Sequence, residues 1–465
     1  MKQAKHDPLT HEKRAKMISI KLIRAHGLRM ALPLALVFCL AAQALAADAA
    51  DGLTLDAAWE LALSHNKDVA AAREYAKKVR GIYVEARATA LPKFTLQVGH
   101  YRDRDESQKA VGGPYMPTTH ATSSAILSVD QVLFTWGQVG AAIRGAKVGL
   151  ATADDELRLY RQAALRDVAE GFYDVLLVQE LFSIAKENLA QKERHKEAAE
   201  KRLRAGLATD YDVLAARVAV DNARPDVIRT ENGAVTARQR LAFLLGVDDI
   251  PARIAGSLAG SLAGPVTECS MTCDDAYKKA LSNRPELVGL SHQAEMAKEY
   301  VTVISSADKP RADLRLEYGL KGMEAGESWE SGDYALAGAF FTFPFFDGLN
   351  TRGKVAQARS DERTLRIQLE KLKDGLRLDV TNSIAKVREA AQIVASLEGT
   401  VSQAERLFSM AEKGFDYGVK TRLDVEDALL GLMQAKGGLA QARRDYLVAR
   451  VKFLWSMGVL GEESK

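Results

Sequence analysis

The chain has 465 residues, 47% of them hydrophobic, 27% charged and 7% aromatic, with three cysteines and a formal net charge of +3. This balance excludes a disulfide-stapled miniprotein and an unstructured polyelectrolyte. Residues 1–29 hold eight Lys/Arg and two acids, and removing 1–46 from totals of 64 and 61 leaves 56 and 59, a net charge of −3 that gives no reason to expect nucleic-acid binding.

In chain order, the basic start is followed by the apolar run MALPLALVFCLAAQALA (30–46), which ends in Ala44-Leu45-Ala46. Basic, short apolar and A-x-A in succession read as a signal peptide spanning 1–46, and Pro33 and Gln43 count against a membrane anchor. A bulky Phe38 before Cys39 argues against a lipoprotein signal. No other stretch approaches the ~20 apolar residues of a membrane helix.

Residues 55–91 read as a short and a longer helix, with Asp56 as N-cap and Pro92 as the stop. The period then changes to two over a β-hairpin (94–134), where Phe94, Leu96 and Val98 alternate with Thr95, Gln97 and Gly99, and Ala125, Leu127, Val129, Gln131 and Leu133 share a face. After LFTWGQ (133–138) comes a long helical hairpin (137–246), its first arm some 65–70 residues, or roughly 100 Å. Pro225 is expected to kink the returning arm.

A Gly/Ala/Ser-rich linker (248–270) precedes a second copy of the same plan at 271–459: helices at 273–308, a β-hairpin at 311–346, and a long helical hairpin at 348–457, with 460–465 as a tail. Adding 212 to Val213, Ala216, Val220, Ala223, Val227, Thr230, Ala234, Ala237 and Leu241 gives Val425, Ala428, Leu432, Ala435, Leu439, Ala442, Tyr446, Ala449 and Phe453. The offset also maps Gly206, Thr209, Asp212 and Val213 onto Gly418, Thr421, Asp424 and Val425. Repeat one is therefore 47–247. In the second long hairpin, apolar residues from Leu365 to Ala411 cover 46 residues in 13 steps, about 3.5 per step, the period of coiled-coil packing.

The strands are about ten residues long, apolar on one face and small, polar or charged on the other. In the second hairpin Ala312, Leu314, Leu316, Tyr318 and Leu320 oppose Arg311, Asp313, Arg315, Glu317 and Lys321. Its last strand carries Ala335, Ala337, Ala339, Phe341, Phe343 and Phe345 on one face. Such strands fit an outer-membrane barrel. Four strands cannot close one, and a bilayer does not tolerate open edges, so several chains would share the barrel.

The duplicated order, the turn FPFFDG and the tip segment EKGFDYGVKTRLDVEDA (412–428) together resemble the TolC-like outer-membrane efflux protein family over about 53–460. The resemblance implies a mainly α chain with a membrane β portion. It implies a homotrimer in which a 12-stranded barrel, four strands per chain, sits on an α-barrel tunnel reaching into the periplasm of a Gram-negative cell. It further implies a passive exit duct, embedded in outer-membrane lipid and docked at its tip by a periplasmic adaptor (membrane fusion) protein and a resistance-nodulation-division or ABC pump. Carried over by residue, it places a constriction at Asp424 and Asp427, which share a helix face at i, i+3. Like-charge repulsion in a ring of six would raise some of their pKa values. It places a closed-state latch at Asp212, Lys420 and Phe415, and adaptor-facing tips at Gly206, Leu207, Gly418 and Val419. Phenylalanine lacks the hydroxyl of the family's tyrosine and lysine lacks arginine's fork, so a Lys420–Asp212 latch is expected to be weak.

Cys269 and Cys273 remain beyond the signal, and a local disulfide and two free thiols both fit the sequence. No zinc pattern, phosphate loop, nucleophile elbow or HExxH occurs, so neither enzyme, cofactor nor metal is expected. The competing reading is a periplasmic coiled-coil scaffold or adaptor without its own channel; it would usually carry one helical hairpin, not two with paired strands.

Overall fold

The computed structural model describes residues 53–106, 119–250, 271–325 and 328–461. The expected signal peptide, most of the linker, Cys269 and most of the tail lie outside them.

Helix α1 (Leu55–His65) starts at Thr54, whose hydroxyl accepts from the Ala57 amide; Asp56 sits in the first turn and is not the cap. Asn66 ends α1 and caps α2 (Lys67–Ala88) by accepting from Asp68 and Val69. The helix ends four residues before Pro92, through three-residue backbone turns at Thr89, Ala90 and Leu91. Strands β1 (Lys93–Arg104) and β2 (Thr119–Phe134) follow, then α3 (Gln138–Arg204) and α4 (Asp210–Leu245). The second repeat repeats the order: α5 (Cys273–Asn283), α6 (Pro285–Ser305), β3 (Arg311–Ala325), β4 (Ser328–Thr342), α7 (Asn350–Asp416) and α8 (Arg422–Ser456). The expected 273–308 thus divides at Arg284. The last strand stops at Thr342, so Phe343 and Phe345 lie beyond it and Pro344 removes a donor. Helix α4 runs unbroken through Pro225.

The strands form one antiparallel sheet in the order β1-β2-β3-β4. Its register confirms the two-faced pattern. Phe94, Val129, Leu316 and Ala337 stand in one row, and Leu96, Leu127, Tyr318 and Ala335 in the next row on that face. Lys93, Asp130, Arg315 and Gly338 share a row on the opposite face, where Arg315 pairs with Asp130 at 2.7 Å. A bulge between Val132 and Phe134 sets Phe134, not Leu133, opposite Ala312.

Each strand pair turns into its long helix through two consecutive left-handed residues, Trp136–Gly137 and Gly348–Leu349. The offset of 212 aligns these pairs, but the glycine has changed place. Each repeat therefore holds one side chain in a conformation that L-residues disfavour.

Both 67-residue helices, α3 and α7, run about 100 Å. The shorter helices stack end to end beside them. Gly246 at the end of α4 abuts His65, and Asn66 donates to the Leu244 carbonyl at 2.8 Å, so α4 continues into α2. At the matching joint Gly458 abuts Asn283, and Arg284 donates to the Ser456 carbonyl at 3.1 Å, so α8 continues into α6. Contacts give a layer ordered α4–α3–α8–α7 below these joints and α2–α3–α6–α7 above. The main core sits midway, where Val168, Phe172, Leu241, Val380 and Tyr446 meet Ala58 and Ala62 of α1 and Ala276 and Ala280 of α5. No described helix is long and apolar enough to cross a membrane.

Candidate functional site

The site is the pair of helix–helix tips farthest from the sheet. Helix α3 ends with Gly206 in the left-handed region; Leu207 donates to the Arg202 carbonyl at 2.8 Å and Gly206 to Leu203 at 2.9 Å. Helix α7 ends alike, with Gly418 left-handed, Val419 donating to Gly414 at 2.8 Å and Gly418 to Phe415 at 3.1 Å. Both are double-bonded glycine caps. They leave Leu207 and Val419 78% and 79% exposed at the extreme end of the molecule.

The returning helices open with matched capping boxes. The Thr209 amide donates to the Asp212 carboxylate at 2.8 Å, and the Thr421 amide to Asp424 at 2.8 Å; the Asp212 and Asp424 amides donate back to the threonine hydroxyls. Bonds from the Thr421 hydroxyl and amide, then the nearby Lys420 charge, hold the Asp424 carboxyl below the ordinary aspartate range. Bonds from Thr209, then the Arg422 charge, do the same for Asp212. In the single chain, then, hydrogen bonding moves Asp424 opposite to the rise expected from a crowded ring. Asp427 lies one turn on, exposed.

The expected Lys420–Asp212 bond is not made within the chain. The Asp212 carboxylate is occupied by its own cap, and Lys420 lies 3.5 Å from Asp424 at i, i+4. Phe415 lies under the Arg202 guanidinium, 4.6 Å from it. Two arginines not singled out by the sequence reading thus bridge the hairpins. Arg422 donates from Nη1 to the Asp212 main-chain carbonyl at 2.7 Å and from Nε to Glu426 at 2.9 Å. Gln191 adds a bond from α3 to Glu412 on α7 at 2.5 Å. Between these bridges lies a groove of about 510 Å³ lined by Arg202, Leu207, Asp212, Glu412, Phe415 and Arg422. The one sequence signal for Arg422 is its place at the first position of a helix, where a cation opposes the dipole.

Cys273 is free and touches Thr381, 3.2 Å away. Cys269, with which a local disulfide was one of the two readings, lies outside the described residues. No metal-ligating cluster occurs among the described residues.

The sequence matches the family model of the outer membrane efflux proteins over residues 58–247 and 276–459. Outer membrane protein TolC of Vibrio cholerae is 23% identical over 81% of this chain and 84% of its own length. The alkaline protease secretion protein AprF of Pseudomonas aeruginosa is 25% identical over 87% and 84%. Among solved structures, the outer membrane protein VceC of Vibrio cholerae superposes with a TM-score of 0.73 at 20% identity, covering 87% of this chain and 96% of that one. That likeness bears on the fold.

Proposed function

Because the chain belongs to the outer membrane efflux protein family, we propose that three copies close into one passive exit duct whose periplasmic entrance is set by the tips. The chain is an outer-membrane efflux channel component. The observation that carries the trimer is that both layers end on unpaired edges. The sheet ends at β1 and β4, and the helical layer at α4 and α7. Each edge helix carries an exposed apolar stripe: Tyr211, Leu214, Val218, Ile228 and Val235 on α4, and Leu378, Ile393, Leu407 and Met410 on α7. The two edges differ, so they join head to tail, and such an interface forms a ring once the rotation closes. Three copies make twelve strands and twelve helices in cross-section.

The outward face supports a membrane position for the barrel. Its apolar rows run from Ala312 and Phe341 to Leu320, four two-residue steps or about 27 Å along the strand. A tilt of about 40° shortens this to roughly 20 Å, near the apolar band of an outer-membrane barrel. Beyond it stand the polar pair Arg102–Glu324 and His100. The helices then reach about 100 Å into the periplasm. There Gly206, Leu207, Gly418 and Val419 offer the surface for a periplasmic adaptor joined to an inner-membrane pump. Asp424 and Asp427, three pairs around the axis, form the cation-attracting constriction.

Light scattering on detergent-solubilised protein tests this reading. A mass of three chains from the outer-membrane fraction is expected; a soluble periplasmic monomer would replace the duct with the scaffold reading.

A further inference from the structure

We propose that a cavity midway along the helices is a binding site on the bore wall for dipolar molecules, those carrying an ammonium and a carboxylate about 10 Å apart. Its placement in a bore rests on the trimeric duct proposed above. The cavity, about 490 Å³, is lined by residues of α3, α7 and α8.

Contacts of the short helices fix the side on which it opens. On α3, the Leu165 carbonyl accepts from Trp59 of α1 at 2.9 Å. At about 100° per residue, the cavity residues Asp167 and Glu170 point roughly 140–160° away from Leu165. On α7, Arg377 pairs with Asp274 of α5 at 3.6 Å, and Thr381 touches Cys273. Asp379, Asn382 and Lys386 point roughly 140–180° away from Arg377. The cavity therefore lies on the face of the layer opposite to α1 and α5. Twelve helices spaced about 9–10 Å apart make a ring about 36 Å across its axes. Subtracting one helix diameter of about 10 Å leaves a bore of roughly 26 Å. Six more helices would fill it, so α1 and α5 ride outside the ring and the cavity faces inward.

The ionic groups of the lining fall into two sets. Arg166 pairs with Asp167 at 2.8 Å and Lys452 with Glu170 at 3.0 Å, so these four neutralise one another. Asp379 and Lys386 are exposed and have no ion-pair partner among the described residues. Seven residues separate them on one face of α7, about 10 Å by helical rise, beyond the i, i+4 spacing at which helical charges pair. Between them, the Asn382 side-chain amide is free, and Ser383 donates to the Asp379 carbonyl at 2.7 Å while its oxygen can still accept. Among the described residues, Ala449 and Trp455 alone are apolar in the lining, and the Trp455 ring lies against the Arg166 and Arg284 guanidiniums at 4.5 and 4.2 Å. An apolar molecule thus finds little surface to bury. A simple ion of either sign meets one complement and one like charge. A dipolar chain satisfies both, its carboxylate on Lys386, its ammonium on Asp379 and its amides on Asn382 and Ser383. Three extended residues, at about 3.4 Å each, have the right length.

Saturation-transfer NMR on the detergent-solubilised full-length protein tests this. The probe is triglycine, and the control is N-acetyl-triglycine amide, which lacks both charges. Wild-type trimers are expected to bind triglycine about five-fold or more tightly than the capped peptide. K386Q and D379N are each expected to weaken triglycine by about the same factor and to leave the capped peptide unchanged. Trimers that hold the two peptides equally, or bind neither, overturn the site and leave the duct standing. Full triglycine binding by both variants overturns it as well. Light scattering on the same samples isolates the duct reading: triglycine binding by a protein found only as monomers removes the duct, and with it the bore placement. Should one variant not assemble, the other decides: weakened triglycine binding supports the site, and wild-type binding overturns it.

Discussion

At the scale of single residues, one carboxylate does two jobs at the tip. Asp424 closes the capping box that starts α8 and also belongs to the acid pair proposed as the constriction. The first job governs its titration. A folded-state pKa held below the ordinary value of 3.8 gives a contribution present above that value and lost only as pH falls through the lower, folded one. Cation preference in the conducting protein should therefore persist as pH is lowered from 7 to about 4.5. Loss of preference near pH 6 would mean that repulsion around the ring overcomes the cap. Thr421→Ala removes the hydroxyl and should cost about 1 kcal/mol at the start of α8, read as faster amide exchange at Asp424 and Val425. Repeat alignment fixes Asp424 at the start of α8, and the constriction proposed for it and Asp427 comes from the family resemblance. The sequence reading missed the threonine caps and Arg422 because those roles depend on which neighbour lies across the groove. The family resemblance set Lys420 toward Asp212; within the single chain Lys420 instead lies beside Asp424 one turn away, and the Asp212 carboxylate is held by its own cap.

At the scale of elements, the long helices were legible because their apolar period runs over dozens of residues, and the paired strands because apolar and polar residues alternate along each. The joints were not. Nothing in the sequence near Gly246 announces that the end of α4 meets the start of α2, whose cap Asn66 lies 178 residues earlier in the chain than its partner Leu244. The joint makes a prediction that separates packing from backbone strain. Gly246 and Gly206 are both left-handed, at φ of 76° and 73°, but a Cβ at 246 would lie 2.3 Å from the His65 carbonyl oxygen and one at 206 meets open space. Gly206→Ala should cost about 1–2 kcal/mol from conformation alone. Gly246→Ala should cost clearly more in urea unfolding; equal costs would deny the end-to-end stacking. Leu349 offers the reverse change. With φ at 67° and 60% exposure, Leu349→Gly should stabilise the strand-to-helix turn by up to about 1 kcal/mol, visible as a higher unfolding midpoint.

At the scale of the whole molecule, the open edges explain why the chain's apolar surface is distributed as it is. Leu214 is 60% exposed in one chain, so Leu214→Glu should leave the helical content of the protomer intact. In the closed ring the same charge would be buried against the next copy without a partner, at a cost of about 3–5 kcal/mol per interface. Light scattering should then report protomers in place of trimers; an unaltered trimer would move the interface off this stripe. Two strand pairs, too few to close a barrel alone, were legible from the alternating pattern. Their join through β2 and β3 was not, because hairpin patterns fix the pairs and leave the order of the pairs open. The central claim is that this is a passive conductor narrowed by acids at its entrance, and planar-bilayer conductance of the purified protein, with no partner or nucleotide present, tests it most directly. The account predicts a small cation-selective conductance that grows and loses its selectivity in Asp424→Ala/Asp427→Ala; a well-folded trimer that conducts nothing in either form would contradict it.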